Sequence, residues 1–174
     1  GMWLLEESLD YWASKGEHYT AAELAKAAAD LPRTSVIDAN DPIFEKPGAM
    51  PERIAMLCEK SNQQIPQSPA AYARCIFDSL ADAYVKVLAQ LQSAAGVKIN
   101  AINIVGGGSA NRLLNQLTAD ATGLPVYAGP TEATVLGSVM VQMQSVGLIN
   151  SLNQGRVIIK NSITQEEFKP KKIS

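Results

Sequence analysis

A β-branched segment that runs directly into three glycines constrains the fold of this 174-residue sequence more than any other feature. Residues 99–105 have the composition of a buried strand, and the glycines at 106–108 follow at once. Residues 109–122 then place apolar side chains at a helical period and end before Gly123, a residue typical of the position after a helix. A strand that passes through a glycine turn into a helix indicates an α/β fold.

A second strand and helix extend this pattern. Residues 125–128 predict a short strand, and Thr131 is expected to cap a helix over residues 132–145. A right-handed crossover would make the two strands parallel. We therefore predict a βαβα unit at residues 99–146 with a small parallel sheet. Because two strands are marginal alone, the fold must be predominantly helical or take strands from elsewhere.

The first 96 residues are predicted to be helical. Thr20 and Glu23 have the spacing of a capping box, and the prolines and glycine of residues 31–51 indicate an ordered loop. Helices are expected over residues 2–14, 21–29, 51–62 and 69–95.

We thus predict that residues 1–174 form a single partial domain. It has a helical part (1–96), a βαβα part (97–149) and a polar C-terminal tail (150–174).

Composition excludes several classes of partner and site. A net charge of −2 gives no basic footprint for nucleic acid or for an anionic membrane. No apolar run approaches the roughly 18 residues that span a bilayer, and residues 3–10 are acidic where a signal peptide is basic, so we expect a cytoplasmic protein. Cys58, Cys75 and a single His18 argue against a zinc site and a Ser-His-Asp hydrolase.

The glycine turn is the strongest candidate binding site. Glycine allows a ligand to approach the backbone, and the helix that follows offers oriented N–H groups, so a nucleotide site is physically reasonable. The turn is not a P-loop, and Asn111 stands where the dinucleotide fingerprint requires glycine. The alternative interpretation is a close-packed turn that holds no ligand.

Several motifs in the chain resemble the C-terminal lobe of the FGGY carbohydrate kinases. The resemblance covers nearly the whole sequence and implies an actin-like (ribonuclease H-like) ATPase lobe. Members of this family have two lobes and phosphorylate a sugar hydroxyl with ATP and Mg²⁺ in the cleft between them. The matching residues are Trp3-Leu4-Leu5, Gln64-Ile65-Pro66, residues 74–80, residues 104–109, Asn111, residues 113–117, Ala119-Asp120, Gly123, residues 128–130, Glu132-Ala133 and Leu136-Gly137.

The resemblance identifies the glycine turn as the family's adenosine motif. It implies that ATP or ADP binds at Gly106, Gly107, Gly108, Ser109 and Asn111. Gly107 and its neighbours would pass under the adenosine, and Asn111 would lie beside the adenine. The helix-dipole argument pointed to phosphate, whereas the resemblance places the base and ribose here.

The resemblance assigns the rest of the active site to other parts of the kinase. The phosphate-binding hairpins, the sugar pocket and the general-base aspartate of the family precede the matching segment. We therefore predict no catalytic residue and no Mg²⁺ ligand in this chain, and a ketose would be bound only through the N-terminal lobe. The predicted function is the nucleotide-binding portion of a sugar kinase, inactive alone. The alternative is a truncated helical interaction module without a nucleotide.

Four acidic residues are interpreted as structural. Asp120 lies near a helix end, and Glu132 lies in a first turn, where a negative charge suits the helix dipole. Asp78 and Asp82 are four residues apart, and their spacing predicts a solvated helix face.

Two further expectations concern pairing. One branch of the FGGY family carries a cysteine pair with the spacing of Cys58 and Cys75, which would allow a disulfide, although a reducing cytosol favours thiols. The strand at 99–105 should have one unpaired edge, so we also expect a homodimer.

Overall fold

The computed structural model describes residues 2–163 and 165–171. Over these residues the chain forms seven α-helices and one sheet of three short strands, with 3-10 helices at Pro42–Phe44 and Gly107–Ala110. None of the helices in the described ranges is long and apolar enough to cross a bilayer. The helices are α1 (Trp3–Ser14), α2 (Ala21–Ala29), α3 (Met50–Lys60), α4 (Pro69–Ala95), α5 (Arg112–Thr122), α6 (Ala133–Ser145) and α7 (Leu152–Ser162). The strands are β1 (Ile102–Ile104), β2 (Val126–Ala128) and β3 (Glu166–Phe168).

Local capping chemistry sets the ends of the helices in the first part. The Thr20 hydroxyl accepts from the Glu23 N–H at 3.2 Å, and the Glu23 carboxylate accepts from the Thr20 N–H at 2.8 Å, which confirms the capping box. Ser68 caps α4, and Gly96 ends it in a left-handed conformation with φ of 63°. The predicted cap at Thr131 is wrong, because α6 begins at Ala133 without a side-chain cap.

The sheet is mixed rather than parallel. β1 and β2 pair in parallel, with Ile102 opposite Val126, as predicted. β3 pairs antiparallel with β2, which places Phe168 opposite Val126 and leaves β1 at an edge. Ile102 is therefore only half-buried and Asn103 is exposed, so the prediction of a buried strand is wrong.

The polar C-terminal tail from 150 onward contains a helix and a strand. Ser151 caps α7 by accepting from the Gln154 N–H at 3.2 Å, and the buried Gly155 lies against α6. A Cβ at Gly155 would lie 2.7 Å from the Met140 sulfur, so α6 and α7 approach each other closely at this glycine. Together with β3, this helix makes the segment part of the fold; residues 164 and 172–174 lie outside the described residues.

The main core joins the first four helices to α5. Its buried side chains in the described residues are Leu4, Leu5, Trp12, Leu24, Ala28, Phe44, Met50, Ile54, Cys58, Ala73, Cys75, Ile76, Phe77, Leu80 and Leu114. A smaller cluster under the sheet contains Ala119, Val126, Ala128 and Phe168.

Asp78 is buried, which corrects the prediction of a solvated face. It is 3% exposed, on a helix against which α2 and α5 both pack. The Arg74 Nε donates to its carboxylate at 2.8 Å, while the partly exposed Asp82 pairs with Arg33 at 2.6 Å. Desolvation raises the pKa of Asp78, and Arg74 opposes this effect only in part.

Cys58 and Cys75 lie on neighbouring helices, α3 and α4, and their side chains are in contact as buried thiols. Burial raises the pKa of the Cys75 thiol to about 12. This suppresses the thiolate that disulfide formation requires. The disulfide stays a prediction.

Candidate functional site

The glycine turn is held in place by its own hydrogen bonds. Gly106 has φ of 78° and ψ of −166°, a conformation that is essentially restricted to glycine. Its carbonyl accepts from the Ser109 N–H at 3.0 Å and from the Ser109 hydroxyl at 2.7 Å. Its N–H donates to the Pro130 carbonyl at 3.0 Å, which ties the turn to the loop after β2. Gly106 and Ser109 thus fix the shape of the turn.

Asn111 begins α5 immediately after the turn. Its Oδ1 accepts from the Leu114 N–H at 3.0 Å and so caps the helix. Its Nδ2 lies 4.0 Å from the Met2 sulfur, a weak contact that leaves this donor available for a stronger acceptor. The capping bond therefore fixes the position of a free amide donor beside the turn.

Gly107 and Asn111 lie on one groove between α2 and α5. The groove has a volume of about 690 Å³, within the range of small-molecule sites. A Cβ built at Gly107 or at Gly108 would meet no atom within 4 Å, so the backbone of the turn is open on this side. The other residues that line the groove are Met2, Ala21, Ala22, Ala25, Lys26, Ala29, Ala110, Arg112, Leu113, Gln116, Phe168 and Lys171.

Ser109 lines a different cleft. This cleft, of about 530 Å³, lies between the turn and the start of α6, where Glu132 and Glu166 add carboxylates. The five residues predicted to bind nucleotide therefore do not share one surface. Gly107 and Asn111 line the groove, whereas Gly106, Gly108 and Ser109 do not.

The groove has a positive electrostatic character. Lys26, Arg112 and Lys171 line it from three different elements, and its described lining contains no carboxylate. Arg112 forms an ion pair with Glu166, and its guanidinium lies 5.6 Å from the centroid of the Phe168 ring. The two lysines thus leave a surplus of positive charge that suits an anionic ligand.

Sequence reasoning missed most of this lining. Lys26 and Lys171 reach the groove only through folding, and no local sequence pattern links them to the turn.

 Counted along the sequence from Asn111, Lys26 comes 85 residues earlier (111 − 26) and Lys171 comes 60 residues later (171 − 111). The one available signal was the run of alanines in α2, whose small side chains leave room for the groove.

The two acidic residues nearest the turn in sequence have structural positions. The Asp120 Oδ1 accepts from the Gln116 Nε2 at 2.8 Å and from the Lys171 N–H at 2.7 Å, so it joins α5 to the end of the chain. Glu132 is exposed at the start of α6. Both positions agree with the structural interpretation of these residues.

Comparisons with known proteins point to one family. A model of the C-terminal domain of the FGGY family of carbohydrate kinases matches residues 1–146. The chain is 35% identical to a rhamnulokinase of Halalkalibacterium halodurans, over 97% of this chain and 35% of that protein. It is 43% identical to a rhamnulokinase of Mannheimia succiniciproducens, over 85% of this chain and 31% of that protein.

A rhamnulokinase of Oceanobacillus iheyensis is 39% identical over 93% of the chain and 34% of its own length. The chain thus spans about a third of the length of the curated relatives that it matches. These matches confirm the resemblance seen in the motifs, including its branch, that of L-rhamnulose kinase. The chain belongs to the FGGY family of carbohydrate kinases, and its residues 1–146 correspond to the C-terminal domain of that family.

Proposed function

We propose that this chain is the adenine-nucleotide-binding portion of an ATP-dependent sugar kinase of the cytoplasm whose substrate is L-rhamnulose. The groove that Gly107 and Asn111 line is the observation that carries this proposal. The substrate rests on the names of the relatives, which are rhamnulokinases. The family match does not favour the alternative, a helical module without a nucleotide.

The groove has features that suit an adenine nucleotide. The backbone at Gly107 is open, so a flat ring can approach it without meeting a side chain. The Asn111 Nδ2 could donate a hydrogen bond to a ring nitrogen of the adenine. Lys26 and Lys171 supply positive charge that suits the phosphates.

The residues described here do not fit a Mg²⁺ site. Mg²⁺ prefers carboxylate, water and phosphate oxygens, and the described lining of the groove contains no carboxylate. Within residues 2–163 and 165–171, no group of three or more histidines, cysteines and acidic residues could hold a metal ion.

In the proposed reaction, a phosphoryl group passes from ATP to the 1-hydroxyl of L-rhamnulose, which gives L-rhamnulose 1-phosphate and ADP. Such a transfer depends on positioning the donor, the acceptor and the metal together. This chain would bind and orient the adenosine end of the donor. Binding energy from that end accelerates the reaction only when the rest of the site is present, so the chain alone is expected to be inactive.

The nucleotide site is tested by titrating the chain with ADP in a calorimeter. Gly107→Val should abolish binding, because its branched side chain would occupy the space over the open backbone that the ligand needs. The fold should tolerate this side chain, since a Cβ at Gly107 meets no atom within 4 Å. Gly137→Val is the matched control, because Gly137 lies in α6 and a Cβ there also meets no atom within 4 Å. Equal binding of ADP by the wild type and by Gly107→Val would reject the site.

Catalysis is tested with a coupled assay of ADP release in the presence of L-rhamnulose. The isolated chain should stay at background, and addition of the remaining kinase segment should restore turnover. L-Fuculose and D-xylulose serve as competing ketoses. Sugar-dependent turnover by the isolated chain would overturn the proposal that it only binds the nucleotide.

A further inference from the structure

The last described segment of the chain forms one wall of the groove. We call residues 165–171 the C-terminal strap; they follow the 146 residues that match the family model. Phe168 and Lys171 of the strap line the groove together with Lys26 of α2. Phe168 is 6% exposed and belongs to the small core under the sheet. The strap thus connects that core to the groove.

The strap is attached to the sheet on one side. β3 pairs with β2 over only three residues, and the Gln165 Nε2 adds a bond to the Gly129 carbonyl at 2.9 Å. A three-residue strand contributes little pairing of its own. Contacts on the other side of the strap therefore contribute strongly to holding it in place.

Helix α5 supplies those contacts from three positions spaced four residues apart. Arg112 pairs with Glu166, and the Gln116 Nε2 donates to the Lys169 carbonyl at 2.9 Å. The Asp120 carboxylate accepts from the Lys171 N–H at 2.7 Å. Positions with this spacing lie on one face of a helix. The same helix carries Asn111 as its cap, so α5 positions both the turn side and the strap side of the groove.

Asp120 is the most informative of these three residues. Arg112 and Gln116 line the groove themselves, whereas Asp120 is not part of the groove lining that the structure describes. Its Oδ1 accepts from both Gln116 and the Lys171 N–H, so one oxygen joins the helix to the end of the strap. An effect of Asp120 on a ligand in the groove must therefore pass through its neighbours.

We infer that the C-terminal strap is part of the nucleotide site and that Asp120 is a positioning residue, which holds Phe168 and Lys171 against the bound nucleotide through the Lys171 backbone. This inference rests on the proposed nucleotide site. Without the Asp120 bond, the end of the strap opens more often, and a nucleotide must then restore its order on binding. By the same linkage, a bound nucleotide stabilises the attached strap.

The test compares Asp120→Ala with Asp120→Asn in the chain used for ADP titration. An asparagine Oδ1 still accepts from Gln116 and from the Lys171 N–H, whereas alanine leaves both donors without it. The Kd for ADP should rise about tenfold in Asp120→Ala, as expected for the loss of one hydrogen bond, and should rise much less in Asp120→Asn, which keeps the bond without the charge. Circular dichroism and the unfolding midpoint establish that each variant is folded.

Hydrogen exchange over residues 165–171 supplies a readout that a general loss of stability would not produce. Exchange in the strap should accelerate in Asp120→Ala while exchange in α3 stays unchanged, and ADP should slow strap exchange in the wild type. Unchanged ADP affinity in Asp120→Ala overturns the inference, as does weaker binding without faster strap exchange. If the wild-type chain does not bind ADP, the proposed function and this inference are both overturned. If Gly107→Val abolishes binding but Asp120→Ala leaves it unchanged, only the inference is overturned.

Discussion

The two parts of this chain have similar apolar character but bury it to very different extents. In the part from 2 to 96, four helices pack around a large core that contains Phe77 at 0% exposure. In the part from 97 to 171, the core under the sheet has four buried members among the described residues. α6, which is described throughout, has no buried residue at all. Apolar composition alone therefore does not make a core.

Geometry explains the difference between these parts. Helices α2 and α5 both pack on the long α4, so its side chains are covered from two directions. The strands of the sheet have three residues each, and among the described residues β1 pairs only with β2. The large apolar residues left exposed around α6 and α7 are Val135, Val139, Val141, Val146, Leu148, Leu152, Val157 and Ile158.

The largest expected effect is the contrast between a core residue and an apolar residue of α6. Phe77→Ala should lower the free energy of unfolding by about 3 to 5 kcal/mol, because it leaves a cavity in a closed core. Val139→Ala, at a site that is 43% exposed, should change it by less than about 0.5 kcal/mol. Urea unfolding measures both. A similar loss in both variants would show that α6 packs as tightly as α4.

The buried ion pair is expected to have the next largest effect. Asp78→Ala leaves Arg74, whose side chain is 14% exposed, without its carboxylate, and should cost about 3 kcal/mol in unfolding free energy. The double variant Arg74→Met with Asp78→Leu should recover most of this loss, because no unpaired charge remains. A double variant as unstable as Asp78→Ala would contradict this explanation.

The raised pKa of Asp78 gives this pair a dependence on pH. Since burial favours the protonated carboxyl in the folded state, the contribution of Asp78 to stability is largest below its unfolded pKa of about 3.9 and is lost as the pH rises through the folded pKa. The stability of the wild type relative to Asp78→Asn should therefore increase as the pH falls from about 6 towards 4. A difference that does not change with pH would contradict the raised pKa.

The smallest expected effect concerns self-association through the open edge of β1. We expect a dimer at tens of micromolar by light scattering, because an unpaired strand edge with Val105 beside it favours pairing. Val105→Lys should weaken the dimer about tenfold, or ~1.4 kcal/mol, by placing a charge at this edge. Met56→Lys, at an exposed apolar site of α3, is the matched control and should leave the dimer unchanged. A monomeric wild type would contradict the expectation.

Local chemistry explains which features could be predicted from the sequence. The capping box at Thr20, the cap at Ser68 and the left-handed Gly96 depend on residues within one helical turn, so their spacing was sufficient. The pairing of β1 with β2 followed from a strand, a helix and a second strand in sequence. The motif match also indicated the family, but the placement of a nucleotide at Gly107 and Asn111 stays a prediction.

Only the tertiary structure decided the features that join distant segments. β3 forms because Phe168 packs beneath the sheet, and its three residues have no periodicity that distinguishes them from a polar tail. Asp78 is buried on α4, against which helices from two other parts of the chain pack. Asp120 meets the Lys171 backbone across 51 residues of sequence, and Lys171 lines a groove of which the glycine turn is one side. Sequence spacing specifies neighbours along a helix or a turn, whereas these contacts depend on how the elements pack.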